Sequence, residues 1–292
     1  MLEAIELTKS YGEVRALDGF SLRVARGEIV GLVGHNGAGK STFIEMAASL
    51  ARPDTGTIRI DGLDPARVRD RIGVAPQHIA LYPSVTVREH LQLFGGLAGL
   101  RRGALRGAID ELATALRLTG FLDRRAGVLS GGQQRRTQAA AALIHRPGML
   151  LLDEPTAGAD PDTREALLDT VKQRAGDGAA VLYTTHYLPE LADLRASIAV
   201  ARAGRIIARG AAADLLDGLP GEVRIEFDDE EVRISTKDPA ATLVDMLRTA
   251  TRPVRSVQVR NPDLDDLYRS LAVPHVHAEP VGLAGHDVHQ HG

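Results

Sequence analysis

The sequence predicts an α/β fold for residues 1–218, followed by a small α+β appendage over residues 219–273. Short apolar runs alternate with helix-like stretches along the first part, which is typical of a sheet of parallel strands covered by helices. Glycine-rich or polar segments follow several of these runs, at the ends where parallel strands gather their ligand-binding loops. Glycine and proline punctuate the chain at 218–221, and the pattern then changes.

The chain opens with a strand-rich segment over residues 2–30. Within it, residues 4–7 and 20–24 alternate between polar and apolar side chains with the period of a half-buried strand. Such alternation is typical of antiparallel strands that have one face on a core and the other in solvent. We therefore expect an antiparallel β edge packed on the α/β core.

A phosphate-loop pattern follows the apolar run 29–33 and consists of Gly34, His35, Asn36, Gly37, Ala38, Gly39, Lys40, Ser41 and Thr42. Glycines allow backbone N–H groups to converge on phosphate oxygens, and the helix expected over 41–50 adds its positive dipole end. Lys40 is suited to neutralise the β- and γ-phosphates. The hydroxyl of Ser41 is suited to ligate Mg²⁺. This segment predicts a P-loop NTPase core that binds ATP and Mg²⁺.

Helix-like spacing of apolar residues from about 84 to 136 predicts a helical subdomain. Near its end, an alanine-rich helix is preceded by the turn Ser130, Gly131, Gly132 and Gln133. A serine–glycine turn before a helix is often only a cap. It is also a second helix N-terminus that could bind an anion. Because the loop at Gly34 already holds one phosphate, a second site on the same chain needs a further explanation.

The next buried-strand run, residues 149–152, is followed by Asp153 and Glu154. Carboxylates at this position lie where open α/β sheets collect their ligands. Asp153 is suited to the Mg²⁺ shell, and Glu154 to accepting a proton from an attacking water. The alternative is two acidic residues that merely end a strand.

Taken in order, the phosphate loop, the segment 129–133 and the segment 150–155 resemble the phosphate loop, signature loop and magnesium/base strand of ABC-type ATPases. The resemblance implies ATP hydrolysis by one half of a dimer that encloses two ATP molecules, in which Ser130 to Gln133 cap the γ-phosphate bound to the opposite subunit. That subunit is a second copy or a paralogue. Residues 155–160 continue like the family's D-loop, with Ala159 where relatives usually carry leucine.

Three single residues complete the resemblance. Tyr11 lies where the family stacks an aromatic ring on adenine. Gln77 would touch the metal and the attacking water and link the site to a membrane partner, and His186 would contact the γ-phosphate and orient the water. Taken alone, each is more simply explained as a packing, loop or structural residue. Phosphoryl transfer needs positioning and charge neutralisation, which this division of roles would supply.

The appendage is predicted from strand-like alternation at 222–227 and 232–234, a helix over 240–247 and a strand over 254–259. The appendage ends with an acidic segment that begins near a proline and is predicted to form a helical turn: Asn261, Pro262, Asp263, Leu264, Asp265, Asp266, Leu267 and Tyr268. This C-terminal acidic segment resembles that of drug-resistance-type exporter ATPases, whose partners are ABC-2 membrane subunits. We therefore expect a separate integral membrane permease, and an exporter rather than an importer. In relatives the segment 78–100 receives a helix of that subunit, which marks Leu81, Tyr82 and Pro83 as docking candidates.

The tail, residues 274–292, carries five of the ten histidines: His275, His277, His286, His289 and His291. Imidazoles at such spacings can bind Cu²⁺, Ni²⁺ or Zn²⁺, and a disordered, solvated tail is the alternative. The chain also resembles the ATPase of the exporter that serves copper-site maturation of nitrous oxide reductase, which adds to the metal hypothesis.

Composition limits the remaining possibilities. A net charge of −3 gives no general field for nucleic-acid binding, and the lack of cysteine excludes disulfides and fits a reducing cytoplasm. No apolar stretch reaches the roughly 18–20 residues that span a bilayer, so we expect a peripheral protein at the cytoplasmic face of the membrane. Two alternatives are a non-transport ABC ATPase that acts on ribosomes or DNA, and a nucleotide-dependent regulatory module. The first class usually carries two ATPase domains or a long coiled coil, and the second does not need Glu154 and His186.

Overall fold

The computed structural model describes residues 1–228, 230–263, 266–267 and 269–270. The chain divides into two compact units, Met1–Leu215 and a second that begins at Leu216. The predicted histidine-rich tail at 274–292 lies outside the described residues. Within the described ranges, no helix combines the length and the apolar character needed to cross a membrane.

From residue 1 to 216 the chain alternates strands and helices, with short 3-10 turns at Pro65–Arg67, Arg69–Arg71, Thr119–Phe121 and Ala126–Val128. The strands are β1 (Leu2–Tyr11), β2 (Val14–Val24), β3 (Ile29–Val33), β4 (Thr55–Ile60), β5 (Ile72–Ala75), β6 (Met149–Asp153), β7 (Ala180–Thr184), β8 (Ser197–Arg202) and β9 (Arg205–Ala211). The helices are α1 (Lys40–Ala47), α2 (Val87–Leu97), α3 (Arg102–Ala115), α4 (Gly131–Leu143), α5 (Pro161–Gly176), α6 (Pro189–Asp193) and α7 (Ala212–Leu216).

The N-terminal strands form the predicted antiparallel edge. The sheet has the order β2-β1-β4, and β1 pairs antiparallel with both neighbours. Its apolar side chains are buried in one core with those of β3 and α1. At the centre of this core the rings of Phe20 and Phe43 lie 4.6 Å apart, centroid to centroid. Strands β1 and β2 are longer than the alternating runs 4–7 and 20–24 from which they were predicted, because their pairing continues past these apolar positions.

The second sheet of this unit has the order β5-β6-β7-β3-β8-β9. All its neighbours pair in parallel except β8 and β9, which pair antiparallel. Every residue of β3, β6 and β7 is buried, which explains why these strands are continuous apolar runs in the sequence. Parallel pairing places the carboxyl ends of β5, β6, β7 and β3 side by side at one edge of the sheet.

Helices α2, α3 and α4 occupy the segment that was predicted to be helical. Reciprocal hydrogen bonds between residues 86 and 89, and between residues 130 and 133, form capping boxes that fix the starts of α2 and α4. The predicted subdomain limit near residue 136 falls inside α4, which continues through the alanine-rich run to Leu143. Its second half is buried, and small alanine side chains allow close packing against β5.

The second unit contains β10 (Gly221–Phe227), β11 (Glu231–Thr236), α8 (Pro239–Thr249) and β12 (Val254–Arg260). The strands form an antiparallel sheet of order β11-β10-β12. Val223 and Ile225 of the central strand are fully buried, and the Asp238 side chain caps α8 by accepting from Ala241 N at 2.9 Å. This is the α+β composition that the sequence predicts.

The acidic segment after β12 folds on itself. Asp263 N donates to Asp266 Oδ2 at 2.9 Å, and Asp266 N donates to Asp263 Oδ1 at 3.0 Å. Arg260 pairs with Asp266 at 2.6 Å, and this bond holds the pKa of the Asp266 carboxyl below its usual value. Residues 264, 265 and 268 of the predicted acidic segment lie outside the described residues.

Candidate active site

The loops that follow four neighbouring strands carry the predicted catalytic residues. The phosphate loop leaves β3, and Gln77 lies two residues past β5. Asp153 is the last residue of β6, and His186 lies two residues past β7. Because these four strands are parallel and adjacent, segments that are far apart in sequence meet at one edge of the sheet.

The phosphate loop has two positions where only glycine fits. A Cβ on Gly34 would lie 2.6 Å from the carbonyl oxygen of Ala201. Gly39 has a φ of +97°, and a Cβ there would lie 2.6 Å from the carbonyl oxygen of Ala16. Gly39 is also the N-cap of α1 and has no side chain with which to cap the first turn. The first N–H groups of α1 are therefore suited to an external acceptor such as phosphate.

The other residues of this loop divide into an exposed and a buried group. His35, Asn36 and Gly37 are exposed, while Ala38 and Gly39 are buried; Ser41 is exposed and Thr42 half-buried in the first turn of α1. The loop therefore presents its tip to solvent and rests on a fixed base.

Lys40 is held against the loop that it follows. Its Nζ donates to the carbonyl oxygen of Gly34, and also to that of His35 at 3.2 Å. Burial lowers the pKa of Lys40, and the nearby carboxylates of Asp153 and Glu154 offset this only in part. The ammonium group of Lys40 therefore lies inside the phosphate loop, where a bound phosphate would be placed.

Ser41 and Asp153 bring oxygen ligands together beneath the loop. Ser41 Oγ lies 3.4 Å from Asp153 Oδ2, while Thr184 Oγ1 donates to the other carboxylate oxygen at 2.5 Å. Hydroxyl and carboxylate oxygens are the ligands that Mg²⁺ prefers, with phosphate and water completing its shell. The donor set therefore fits Mg²⁺. Among the described residues no group of three His, Cys, Asp or Glu side chains could hold a metal by itself.

Glu154 and His186 form a direct pair. His186 Nε2 lies 2.6 Å from Glu154 Oε1, with the imidazole half exposed and the carboxylate largely buried. The backbone of Glu154 has a φ of +49°, in the left-handed region that costs a non-glycine residue about 1–2 kcal/mol. Its N–H donates to Thr184 O at 3.1 Å and to Thr184 Oγ1 at 3.0 Å, which holds this conformation.

Arg135 joins two loops of the site and was not identified from the sequence as a site residue. Its Nη1 donates to the carbonyl oxygen of Gln77 at 3.0 Å and to that of Glu154 at 3.3 Å. The only signal was its place in the first turns of the helix after the Ser130 turn. Thr184 was likewise missed, because a strand threonine gives no sign of its partner.

The turn before α4 has the geometry of a cap. Ser130 Oγ accepts from Gln133 N at 3.3 Å, and Gln133 Oε1 accepts from Ser130 N at 3.0 Å. Ser130 and Gly131 are exposed, and Gly132 and Gln133 are half-buried. A hydroxyl that accepts this bond still has a hydrogen to donate, so a capping role does not exclude anion binding.

Tyr11 is the last residue of β1. The residue is 49% exposed, and Lys9 Nζ lies over its ring, 5.5 Å from the ring centroid. A half-exposed aromatic residue at this position is suited to stacking on a base.

The sequence of this chain is similar to those of known ATP-binding proteins. The family model described as "ABC transporter" matches residues 17–157. The chain is 39% identical to the daunorubicin resistance ATP-binding protein DrrA2 of Streptomyces coeruleorubidus, over 96% of this chain and 89% of that protein. It is 39% identical to the linearmycin resistance ATP-binding protein LnrL of Bacillus subtilis (strain 168), over 78% and 74%. It is 41% identical to the Nod factor export ATP-binding protein I of Paraburkholderia xenovorans (strain LB400), over 74% and 72%.

Solved structures show the same relationship. An ATP-binding subunit of an ABC transporter superposes with a TM-score of 0.74 at 26% identity, covering 94% of this chain and all of that one. A dimeric bacterial ABC transporter cassette superposes with a TM-score of 0.67 at 28% identity, covering 72% of this chain and 98% of that one. That cassette is also known as a dimer bound to ADP and Pi after hydrolysis, with a TM-score of 0.67 at 27% identity and the same coverage.

The similarity covers 96% of this chain in the comparison with DrrA2 and 94% in the comparison with the solved ATP-binding subunit. ATP is the substrate, Mg²⁺ is the general cofactor of such proteins, and the fold is that of a P-loop NTPase. The chain therefore belongs to the ABC transporter family, as an ATP-binding subunit that hydrolyses ATP.

Proposed function

We propose that this chain drives a separate ABC-2-type membrane exporter, and that Glu154 is the general base of its ATP hydrolysis. The observation that carries the catalytic part is the 2.6 Å contact between His186 Nε2 and Glu154 Oε1. Glu154 directly follows Asp153, and His186 lies two residues past β7, at the sheet edge where the phosphate loop leaves β3. A partly buried carboxylate beside an orienting imidazole is suited to take a proton from water.

Binding is assigned to the phosphate loop and the end of β1. The N–H groups of residues 34–42 would cradle the phosphates, with Lys40 exchanging its loop carbonyls for phosphate oxygens. Tyr11 would stack on the adenine. Ser41, Asp153 and Gln77 would hold Mg²⁺, which neutralises phosphate charge when bound.

Hydrolysis is assigned to the loops after β6 and β7. Glu154 accepts a proton from the water that attacks the γ-phosphorus, the bond to the bridging oxygen breaks, and ADP and inorganic phosphate result. His186 contacts the γ-phosphate and orients the water. Arg135 keeps the carbonyls of Gln77 and Glu154 at fixed positions, so that both loops respond to movements of α4.

The dimer supplies the remaining contacts. Ser130 to Gln133 would cap the γ-phosphate held by the opposite subunit, which is a second copy or a paralogue. Their exposure in the single chain supports this, as does the dimeric state of the related cassette. ATP then acts as the bridge that closes the dimer, and its hydrolysis allows the dimer to open.

A groove beside the site is suited to receive a helix of the membrane permease. It has a volume of about 460 Å³ and is lined mostly by apolar side chains, among them Leu81, Phe94 and Leu97. Leu50 and Leu97 on its rim are 75% and 74% exposed, more than ordinary for leucine. Tyr82, next to the groove, is 58% exposed.

The groove is mechanically linked to the catalytic loops through α4. Gln138 Nε2 donates to the carbonyl of Pro76 at 2.5 Å, and Gln138 Oε1 accepts from Ala80 N at 2.7 Å. Since Gln77 lies within this segment, a helix docked beside it could sense the state of the site. Contact with an integral membrane subunit would place the chain at the cytoplasmic face of the membrane as a peripheral protein.

An exporter is supported by the relatives, which are named for drug resistance and Nod factor export. The copper-related subclass has no such support among them, and metal binding by the tail at 274–292 stays a prediction, since these residues lie outside the described ranges. Residues 1–218 would form the ATPase domain and 219–273 the appendage.

The base assignment is tested by Glu154→Gln, with Glu165→Gln as a matched control on the exposed surface of α5. Loss of a general base predicts a fall in kcat of about 10²–10⁴-fold. ATP binding should remain, because the phosphate loop is untouched, and light scattering should show a dimer that persists with ATP. Normal turnover in Glu154→Gln would assign the base to another residue.

The transport assignment is tested by affinity capture of the tagged chain from native membranes in mild detergent, followed by mass spectrometry. We expect a multi-spanning permease at comparable stoichiometry. Recovery only from the soluble fraction with ribosomal or DNA-bound partners would instead support a non-transport ABC ATPase.

A further inference from the structure

A buried carboxylate beneath the site takes no part in the mechanism above. Glu190, in α6, is 1% exposed. Its Oε1 accepts from Thr156 Oγ1 at 2.7 Å and pairs with Arg164 Nε at 3.0 Å, and its Oε2 accepts from Tyr183 OH at 2.9 Å. A buried charge is stable only when its lone pairs are satisfied, so the carboxylate and its three partners constrain one another.

Two of the three partners, Thr156 and Tyr183, belong to the segments that carry the proposed catalytic residues. Thr156 follows Glu154 by two residues, and Tyr183 immediately precedes Thr184, which orders Asp153 and the backbone of Glu154. Glu190 itself lies four residues after His186. One side chain thus joins the ends of β6 and β7 to the histidine loop.

Arg164 extends this link to the residue beside His186. It lies in α5, and its guanidinium stacks over the ring of Tyr187 with a separation of 4.7 Å from the centroid. The N-cap of α5 is Asp160, which ends the segment running from Thr156. Both ends of residues 156–160 are therefore fixed to the network around Glu190.

The helix that carries Glu190 is itself held in place. A Cβ on Gly31 of β3 would lie 2.7 Å from Leu191 Cδ2, so Leu191 fills the space above this glycine. Burial, together with the adjacent Glu190 carboxylate, raises the pKa of Tyr183 well above its usual value, which keeps its hydroxyl protonated as a donor. Glu190 is a fixed acceptor, and Thr156 is the partner whose segment leads directly to the catalytic carboxylate.

We infer that Glu190 is a positioning residue for hydrolysis: through Thr156 it sets the path of the chain between Glu154 and Asp160, and with it the placement of the Glu154–His186 pair. This inference rests on the proposed roles of Glu154 and His186. It requires that loss of the Thr156 contact slow the chemical step while nucleotide affinity is retained, because the phosphate loop has no part in this network.

The test compares Thr156→Val with Thr156→Ser in the full-length chain, measuring kcat, KM for Mg-ATP, and Tm. Valine keeps the shape and removes the donor, whereas serine keeps the donor. We expect Thr156→Val to lower kcat about tenfold or more with KM within about twofold, and Thr156→Ser to restore kcat to within about threefold of the parent. An unchanged kcat in Thr156→Val, or no rescue by serine, would overturn the inference.

A double-mutant cycle separates this contact from general damage to the fold. If Glu190 acts through Thr156, then adding Thr156→Val to Glu190→Ala should change kcat by less than about twofold. If the fold-loss of kcat in the double variant equals the product of the two single losses, the two residues act independently, and the inference is overturned. Glu165→Gln again provides the surface control.

Failure of this inference can be told from failure of the base assignment. An inactive Glu154→Gln together with a fully active Thr156→Val would remove Glu190 from the mechanism and leave the base in place. An active Glu154→Gln would remove the base assignment whatever the Thr156 variants do.

Discussion

Gly39 illustrates how single residues shape the phosphate loop. Two separate constraints exclude other residues at this position. The backbone φ is +97°, and a Cβ would lie 2.6 Å from the carbonyl oxygen of Ala16. Gly37 shares only the first, since its φ is +82° but nothing lies within 4 Å of the Cβ position. The pattern of glycines predicted the loop, whereas the difference between these two glycines depends on a distant strand and is visible only in the structure.

We predict that Gly39→Ala weakens Mg-ATP binding far more than Gly37→Ala. Both variants carry backbone strain of about 1–2 kcal/mol, but only Gly39→Ala also forces the loop away from β2. Isothermal titration calorimetry of the two variants would measure the difference. Equal affinities would show that strain alone governs this loop.

At the same scale, the candidate phosphate-binding and acidic residues could be selected from the sequence because their motifs are local. Thr184, Arg135 and Glu190 could not, since each acts on a residue at least 19 positions away or in another element. A threonine in a strand or a glutamate in a short helix has no local pattern that names its partner.

At the scale of elements, a carboxylate ties three helical segments together. Glu111 of α3 accepts from Arg146, just beyond α4, at 2.6 Å and from Arg174 of α5 at 2.7 Å. Arg174 is 4% exposed. Burial alone would raise the pKa of Glu111, but the hydrogen bonds from Arg146 and Arg174 outweigh it and hold the pKa below 4.5.

We predict that Glu111→Gln destabilises the protein by about 1–3 kcal/mol at neutral pH, because it weakens the pairing of a buried guanidinium. A depressed carboxyl pKa gives stabilisation that is present above the unfolded value of 4.5 and is lost as the pH falls through the folded pKa. The parent protein should therefore lose more stability than the variant between about pH 7 and pH 4. Urea unfolding at both pH values would measure this, and parallel losses would contradict it.

Helix starts were readable from the sequence more often than helix ends. The serine–glycine turn at Ser130 predicted the start of α4, and the same type of capping box at Thr86 starts α2. The alanine-rich run at 139–142 predicted the second half of α4 through its helix propensity, but no residue was predicted as the end of this helix. Tertiary packing against β5 extends this helix.

At the scale of the whole molecule, the chain changes from one unit to the next near Leu216. The glycine and proline residues at 218–221 led to a predicted boundary between residues 218 and 219, and β10 begins at Gly221. The α+β composition of the second unit followed from periodicity alone, but its strand order did not, because the pairing of β10 with β12 spans a helix.

We predict that limited proteolysis of the full-length chain cuts first between residues 216 and 221, where no strand or helix continues. The larger product should still bind Mg-ATP, since all described site residues precede the cut. Mass spectrometry would identify the fragments, and nucleotide binding would be measured on the larger one. First cleavage within residues 1–215 would argue against this boundary.

The left-handed backbone of Glu154 has a consequence for how such assemblies diverge. Glycine, asparagine and aspartate adopt this conformation more readily than glutamate does, so the position favours replacements that, given the proposed role of Glu154 as the base, would abolish turnover while improving the local fold. In a pair of paralogues, a subunit relieved of selection for hydrolysis should lose its glutamate early and at no cost to folding. Asymmetric dimers with one silent site are thus an evolutionary state that this backbone makes easy to reach.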